Sequence, residues 1–218
     1  MKTKSNLFRT RTICGLALVA LALNLTLTCI AAAATFSDAN WISTGGVPGA
    51  TGRVRAAVVD GTGNLYIGGD FTLAGDVIAN GIAKWNGTNW SALGSGISAG
   101  VHSYVAALAV SGTNVYAGGW FHIAGGIAAA TNLAQWDGSS WSPLGSGVGG
   151  VVAALRVSGS DLYAGGFFTT AGGIAANHVA KWDGSNWSAL GSGMRSDIPD
   201  IGGAWVLAHL PQLRKPTA

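Results

Sequence analysis

Cysteine is nearly absent from this chain of 218 residues, and its two examples, Cys14 and Cys29, both fall in the first 34 positions. The remainder cannot be a disulfide scaffold and must hold itself by packing and backbone pairing. Glutamate is missing altogether, so nine aspartates are the only acidic side chains, and charged residues make up 10% of the chain against about a quarter in an average globular protein. Glycine, alanine, serine, threonine, asparagine and tryptophan fill the gap. That mixture suits strands and tight turns and disfavours helices.

The formal net charge of +3 is local rather than global. Lys2, Lys4, Arg9 and Arg11 precede an apolar run from Ile13 to Ile30 and then four alanines, Ala31 to Ala34. A basic segment, an apolar segment and a small-residue exit make a secretory signal peptide. Residues 1–34 are therefore expected to be a signal peptide cut after Ala33 or Ala34, which places the protein outside the cell or at its surface. The length of the run leaves an uncleaved membrane anchor open. Cys29 leaves a lipoprotein open, although Thr28 fits that motif poorly. Without the leader, eight basic residues face nine acidic ones. No basic patch survives to argue for nucleic acid as a partner.

What the chain has in abundance is repetition. A block with a period of about 47 to 50 residues is written three times, and its most alike stretches read LYIGGDFTLAGDVIANGIAKWNGTNWSALGSG, VYAGGWFHIAGGIAAATNLAQWDGSSWSPLGSG and LYAGGFFTTAGGIAANHVAKWDGSNWSALGSG. In such architectures each copy is one supersecondary unit that buries its apolar face by stacking on a neighbour. In the second copy, Val105–Val110, Val115–Phe121, Leu133–Trp136 and Trp141–Leu144 are four apolar segments separated by turn signals. Four short strands per copy predict an all-β fold of four-stranded antiparallel β-propeller blades. Three complete blades are expected over 54–194. The segment 35–53 holds one orphan strand around Trp41, and 195–218 starts a fourth blade at Ala204–Ala208 before leaving the pattern.

Asn86-Gly87, Asp137-Gly138 and Asp183-Gly184 predict type I′ hairpin turns between the third and fourth strands. An even-numbered loop puts Trp85 and Trp90, Trp136 and Trp141, and Trp182 and Trp187 on one sheet face as packed pairs. Ala56, Ala107 and Ala154 suit first strands crowded around a central axis. The diglycines Gly68-Gly69, Gly118-Gly119 and Gly165-Gly166 allow close backbone approach or a positive φ.

A four-strand repeat with a diglycine ending its second strand and a tryptophan following resembles the kelch and galactose-oxidase-like propellers. It is also similar to repeats of the fungal bud-site cortical marker family and of large secreted bacterial repeat proteins. The resemblance covers about residues 41–208 and implies architecture alone. A strict kelch repeat carries a tyrosine where this chain has Ala79, Ala130 and Ala176, while Tyr66, Tyr116 and Tyr163 precede the diglycine instead. No binding residue is carried over.

Chemistry is harder to find. Galactose oxidase holds copper with a tyrosine crosslinked to cysteine, and no cysteine remains here for that crosslink. His102, His122, His178 and His209 fall at unrelated phases of the repeat without metal-site spacing. Asp137 and Asp183 touch their glycines directly, unlike the sialidase Asp-box, and suit turns. No carboxylate pair for general acid–base work is visible. Neither catalytic residues, a cofactor nor a metal site is expected. The positions after the diglycine do vary, reading Asp70, Trp120 and Phe167, then Thr72, His122 and Thr169. Changing side chains on a fixed scaffold mark Trp120 and His122 as candidate ligand-binding residues. The expectation is a secreted or cell-surface non-enzymatic module for binding or scaffolding, with a protein or glycan partner not identified by the residues, and the loss of register after Ala208 reads as a fragment of a longer protein. The alternative is a secreted oxidase or glycosidase on the same scaffold. Open blade edges predict self-association.

Overall fold

The computed structural model describes residues 49–98 and 102–194. In the first repeat, β1 (Val54–Val59) pairs antiparallel with β2 (Leu65–Gly69), and β3 (Leu73–Ala74) and β4 (Val77–Ile78) form a small hairpin. β5 (Ile82–Trp85) and β6 (Trp90–Ala92) complete a sheet of order β1-β2-β5-β6, and β7 (Ile97–Ser98) leads out of it. The second repeat has β8 (Tyr104–Ser111), β9 (Asn114–Trp120), β10 (Ile123–Ala124), β11 (Leu133–Trp136) and β12 (Trp141–Pro143), with sheet order β12-β11-β9-β8. The third has β13 (Val148–Ser158), β14 (Asp161–Ala171), β15 (Ile174–Ala175), β16 (Val179–Trp182) and β17 (Trp187–Ala189), ordered β13-β14-β16-β17. These are the expected four-stranded antiparallel blades, and no helix occurs among the described residues.

The core lies between blades. One buried cluster joins Tyr66, Ile82, Leu93 and Ile97 of the first blade to Val105, Val115, Phe121 and Trp141 of the second. Another joins Leu133 and Leu144 of the second to Val148, Val152, Leu162, Phe168 and Trp187 of the third. No blade could bury these side chains alone, which is why the unit repeats.

The tryptophan pairs meet as predicted. Trp85 and Trp90, Trp136 and Trp141, and Trp182 and Trp187 are cross-strand partners with ring centroids 5.4, 5.5 and 5.5 Å apart. The second member also does something that spacing could not show. The Trp141 indole N–H donates to the Leu93 carbonyl at 2.7 Å, and that of Trp187 to the Leu144 carbonyl at 2.9 Å. The second and third blades are thus each hydrogen-bonded to the one before.

The diglycines serve close approach rather than a left-handed turn. A Cβ added at Gly68 would lie 2.5 Å from Cγ1 of Val105, and one at Gly118 the same distance from Cγ1 of Val152. The first glycine is therefore the seat for a valine of the following blade. A Cβ on the second glycine would run into the carbonyl of Arg53, Tyr104 or Val151, where the first strand of each blade shifts register at a bulge.

The turns between third and fourth strands depart from expectation. In a type I′ turn both central residues take positive φ, but here only Gly87, Gly138 and Gly184 do, at +95°, +106° and +102°. Asn86, Asp137 and Asp183 keep negative φ because their side chains cap the loop. Oδ1 of Asp137 accepts from the N–H groups of Ser139 and Ser140 at 2.8 Å each, and Asn86 and Asp183 do likewise. The result is a four-residue loop, still even-numbered, so the tryptophans still face one another.

The expected leader over 1–34, the expected orphan strand near Trp41, the Ala204–Ala208 segment and His209 lie outside the described residues. The connectors beside them are described. Ala50 bridges Ala74 as Ile97 pairs Ala124 and Val148 pairs Ala171. The Met194 N–H donates to the Asn177 carbonyl at 2.9 Å, as Ile97 does to Asn80.

Candidate binding cleft

The backbone of each blade presents equivalent positions at the end where the second strand stops and the first begins. Register equates Arg53, just before the first strand, with Tyr104 and Val151, and Asp70, just after the second strand, with Trp120 and Phe167. In the first blade these positions line an open cleft of about 440 Å³ facing the second blade. The Arg55 guanidinium stands 3.2 Å from the Asp70 carboxylate and 4.4 Å from the centroid of the Tyr104 ring, so it joins the two blades. Nε of Arg53 lies 3.7 Å from the same carboxylate. Thr72, Asn80 and His102 also line the cleft.

The electrostatics follow from that geometry. Desolvation acts to raise the Asp70 carboxyl, but the hydrogen bond and charge of Arg55, with the charge of Arg53, outweigh it and hold the group below the ordinary carboxylate range. Asp70 is therefore an ionised acceptor flanked by two cations.

Trp120 and His122, predicted together, are found together, with ring centroids 5.5 Å apart in an edge-to-face arrangement. Trp120 is 40% exposed, and His122 is exposed beside it. They occupy the second blade's version of the Asp70 and Thr72 positions and do not line the cleft. Of the other histidines, His102 lines the cleft, whereas His178 is structural. Its backbone is left-handed at φ +66°, and its Nδ1 lies 3.1 Å from the Gly166 carbonyl. Asn132 holds the equivalent place in the second blade, buried, with its Oδ1 accepting from the Phe121 N–H at 3.0 Å and its amide donating to the Val148 carbonyl at 2.9 Å. The aspartates at the turns are capped: backbone N–H groups of Ser140 and Ser139 hold Asp137 well below its usual range. Among the described residues no group of three or more histidine, cysteine or acidic side chains could hold a metal ion.

Arg53, Arg55 and Tyr104 escaped the reading of the sequence. Their signal was there: the first strand reads Arg53-Val54-Arg55-Ala56 where the later copies read Tyr104-Val105-Ala106-Ala107 and Val151-Val152-Ala153-Ala154. Two cations replace residues that are uncharged in both other copies. Compared with known proteins, the chain matches no family model and no curated sequence.

Proposed function

We propose that this chain is an exported, kelch-like β-propeller repeat module whose work is binding or scaffolding rather than catalysis. The observation that carries the reading is the contrast between backbone and side chains at the cleft end of the blades. Bulge, diglycine seat and indole bond recur from copy to copy, while the exposed and half-buried positions beside them change from Arg53, Arg55 and Asp70 to Tyr104, Ala106 and Trp120. A scaffold that repeats while its exposed edge varies suits recognition, since the fold constrains one set of residues and leaves the other free. The partner is a glycan or protein met outside the cell, which agrees with the basic, apolar and small-residue order of residues 1–34.

The test is chain purified from the medium of an expressing culture. N-terminal sequencing should find Ala34 or Thr35 first. A panel of immobilised glycans and extracellular proteins should yield a saturable binder, and oxidase and glycosidase substrates should not turn over. Catalytic turnover, or a panel without any binder, overturns the proposal.

A further inference from the structure

We propose that the cleft between the first and second blades binds the carboxylate of an acidic saccharide, such as a uronic-acid unit of a glycan; the inference rests on the reading of the chain as a binding module. Charge is the first argument. Arg53 and Arg55 against Asp70 leave one positive charge in excess within the cleft. A monoanion balances it, whereas a phosphate dianion overfills it.

Available donors are the second. Arg55 is committed, with one amino group on Asp70 and its face over Tyr104. Arg53 is not, for its side chain is 80% exposed at the cleft and its Nε stands 3.7 Å from Asp70, beyond hydrogen-bond distance. Its terminal N–H groups suit the bidentate pairing that a guanidinium makes with a planar carboxylate. The walls supply the third argument. His102 is a neighbour able to exchange hydrogen bonds with hydroxyls, as are Thr72 and Asn80 with the capacity left by the Thr51 hydroxyl and the Ser95 carbonyl that they already meet; Asp70 is an ionised acceptor, and the Tyr104 ring adds an apolar surface. One carboxylate among several hydroxyls is the chemistry of a sugar acid.

The fourth is that the fold does not require these charges. The second blade makes the same bulge and seats the following valine in the same way with Tyr104, Ala106 and Trp120 in their places. Cations placed where the architecture works without them are free to serve a ligand.

Isothermal titration of the full chain tests the assignment, with oligogalacturonate as probe beside the neutral galactose oligomer, glutamate and inorganic phosphate at low salt. The uronate should bind on the order of tenfold more tightly than the neutral oligomer. Arg53→Gln and Arg55→Gln should each weaken it about tenfold or more, and Arg156→Gln, outside the cleft, should leave it unchanged. Circular dichroism checks that Arg55→Gln still folds, and the exposed Arg53 keeps the test decisive if it does not. Equal affinity for the neutral oligomer, tighter binding of glutamate or phosphate, no binding, or uronate affinity indifferent to the Arg53 variant each overturns the inference. A panel binder whose affinity ignores both arginines overturns this site alone and leaves the binding module standing.

Discussion

Replacing Trp141 by phenylalanine tests how blades are held together, because this side chain makes contacts of two kinds. It is 4% exposed, packs on Trp136 with ring centroids 5.5 Å apart, and donates its indole N–H to the Leu93 carbonyl at 2.7 Å, across the boundary with the first blade. Phenylalanine keeps an aromatic ring but has no donor. The buried Leu93 carbonyl then goes unpaired, at about 1–3 kcal/mol, and the smaller ring leaves a gap worth roughly another 1 kcal/mol. A total of about 2–4 kcal/mol is a large share of the roughly 5–15 kcal/mol that stabilises a domain. Urea unfolding followed by far-ultraviolet circular dichroism should move to a midpoint about 1 M or more lower. Trp120→Phe is the control, since Trp120 is 40% exposed and touches His122 at the surface; it should cost less than about 0.5 kcal/mol. If Trp141→Phe unfolds at the same urea concentration as Trp120→Phe, the indole bond and the packing beneath it do not hold the blades.

Asn132→Ala should lower stability by about 2–4 kcal/mol, because it strands the Phe121 N–H and the Val148 carbonyl and forces alanine into φ +60°; thermal denaturation should show Asn132→Gly recovering only the backbone part. Asp60 gives a pH dependence. Partial burial opposes its charge, but hydrogen bonds from Asn64 and Thr62 prevail and depress its carboxyl well below the ordinary value. A depressed acid stabilises above the unfolded-state value near pH 4 and loses that contribution as pH falls through its folded value. The gap between wild type and Asp60→Asn in urea titrations should therefore be constant above about pH 5 and shrink below about pH 4; a gap that widens in acid contradicts the assignment. Val54 is 48% exposed where its repeat equivalents Val105 and Val152 are fully buried against the preceding blade. Light scattering at micromolar concentration should detect self-association that Val54→Asp weakens, and a monomeric wild type refutes it.

The four-stranded antiparallel pattern and the tryptophan pairs were legible in the order of residues because they depend on neighbours. A four-residue loop returns Trp136 to Trp141 whatever the rest of the chain does, and alternation along short strands sets which side chains share a face. Even there local reading erred on the turn, since the Asp137 carboxylate competes for the N–H groups of Ser139 and Ser140 and keeps its own φ negative. Contacts between blades were not legible. The Trp141 indole and the Leu93 carbonyl are 48 residues apart, and Gly68 is a seat for Val105 only once two twisted sheets stack. The cleft belongs to the same category. Period and composition determined that blades would form and where their variable ends lie, but Arg55 meets Asp70 across a hairpin and Tyr104 across a blade boundary. Only tertiary packing, which sets distances between strands far apart in the chain, decided that those three side chains share one site.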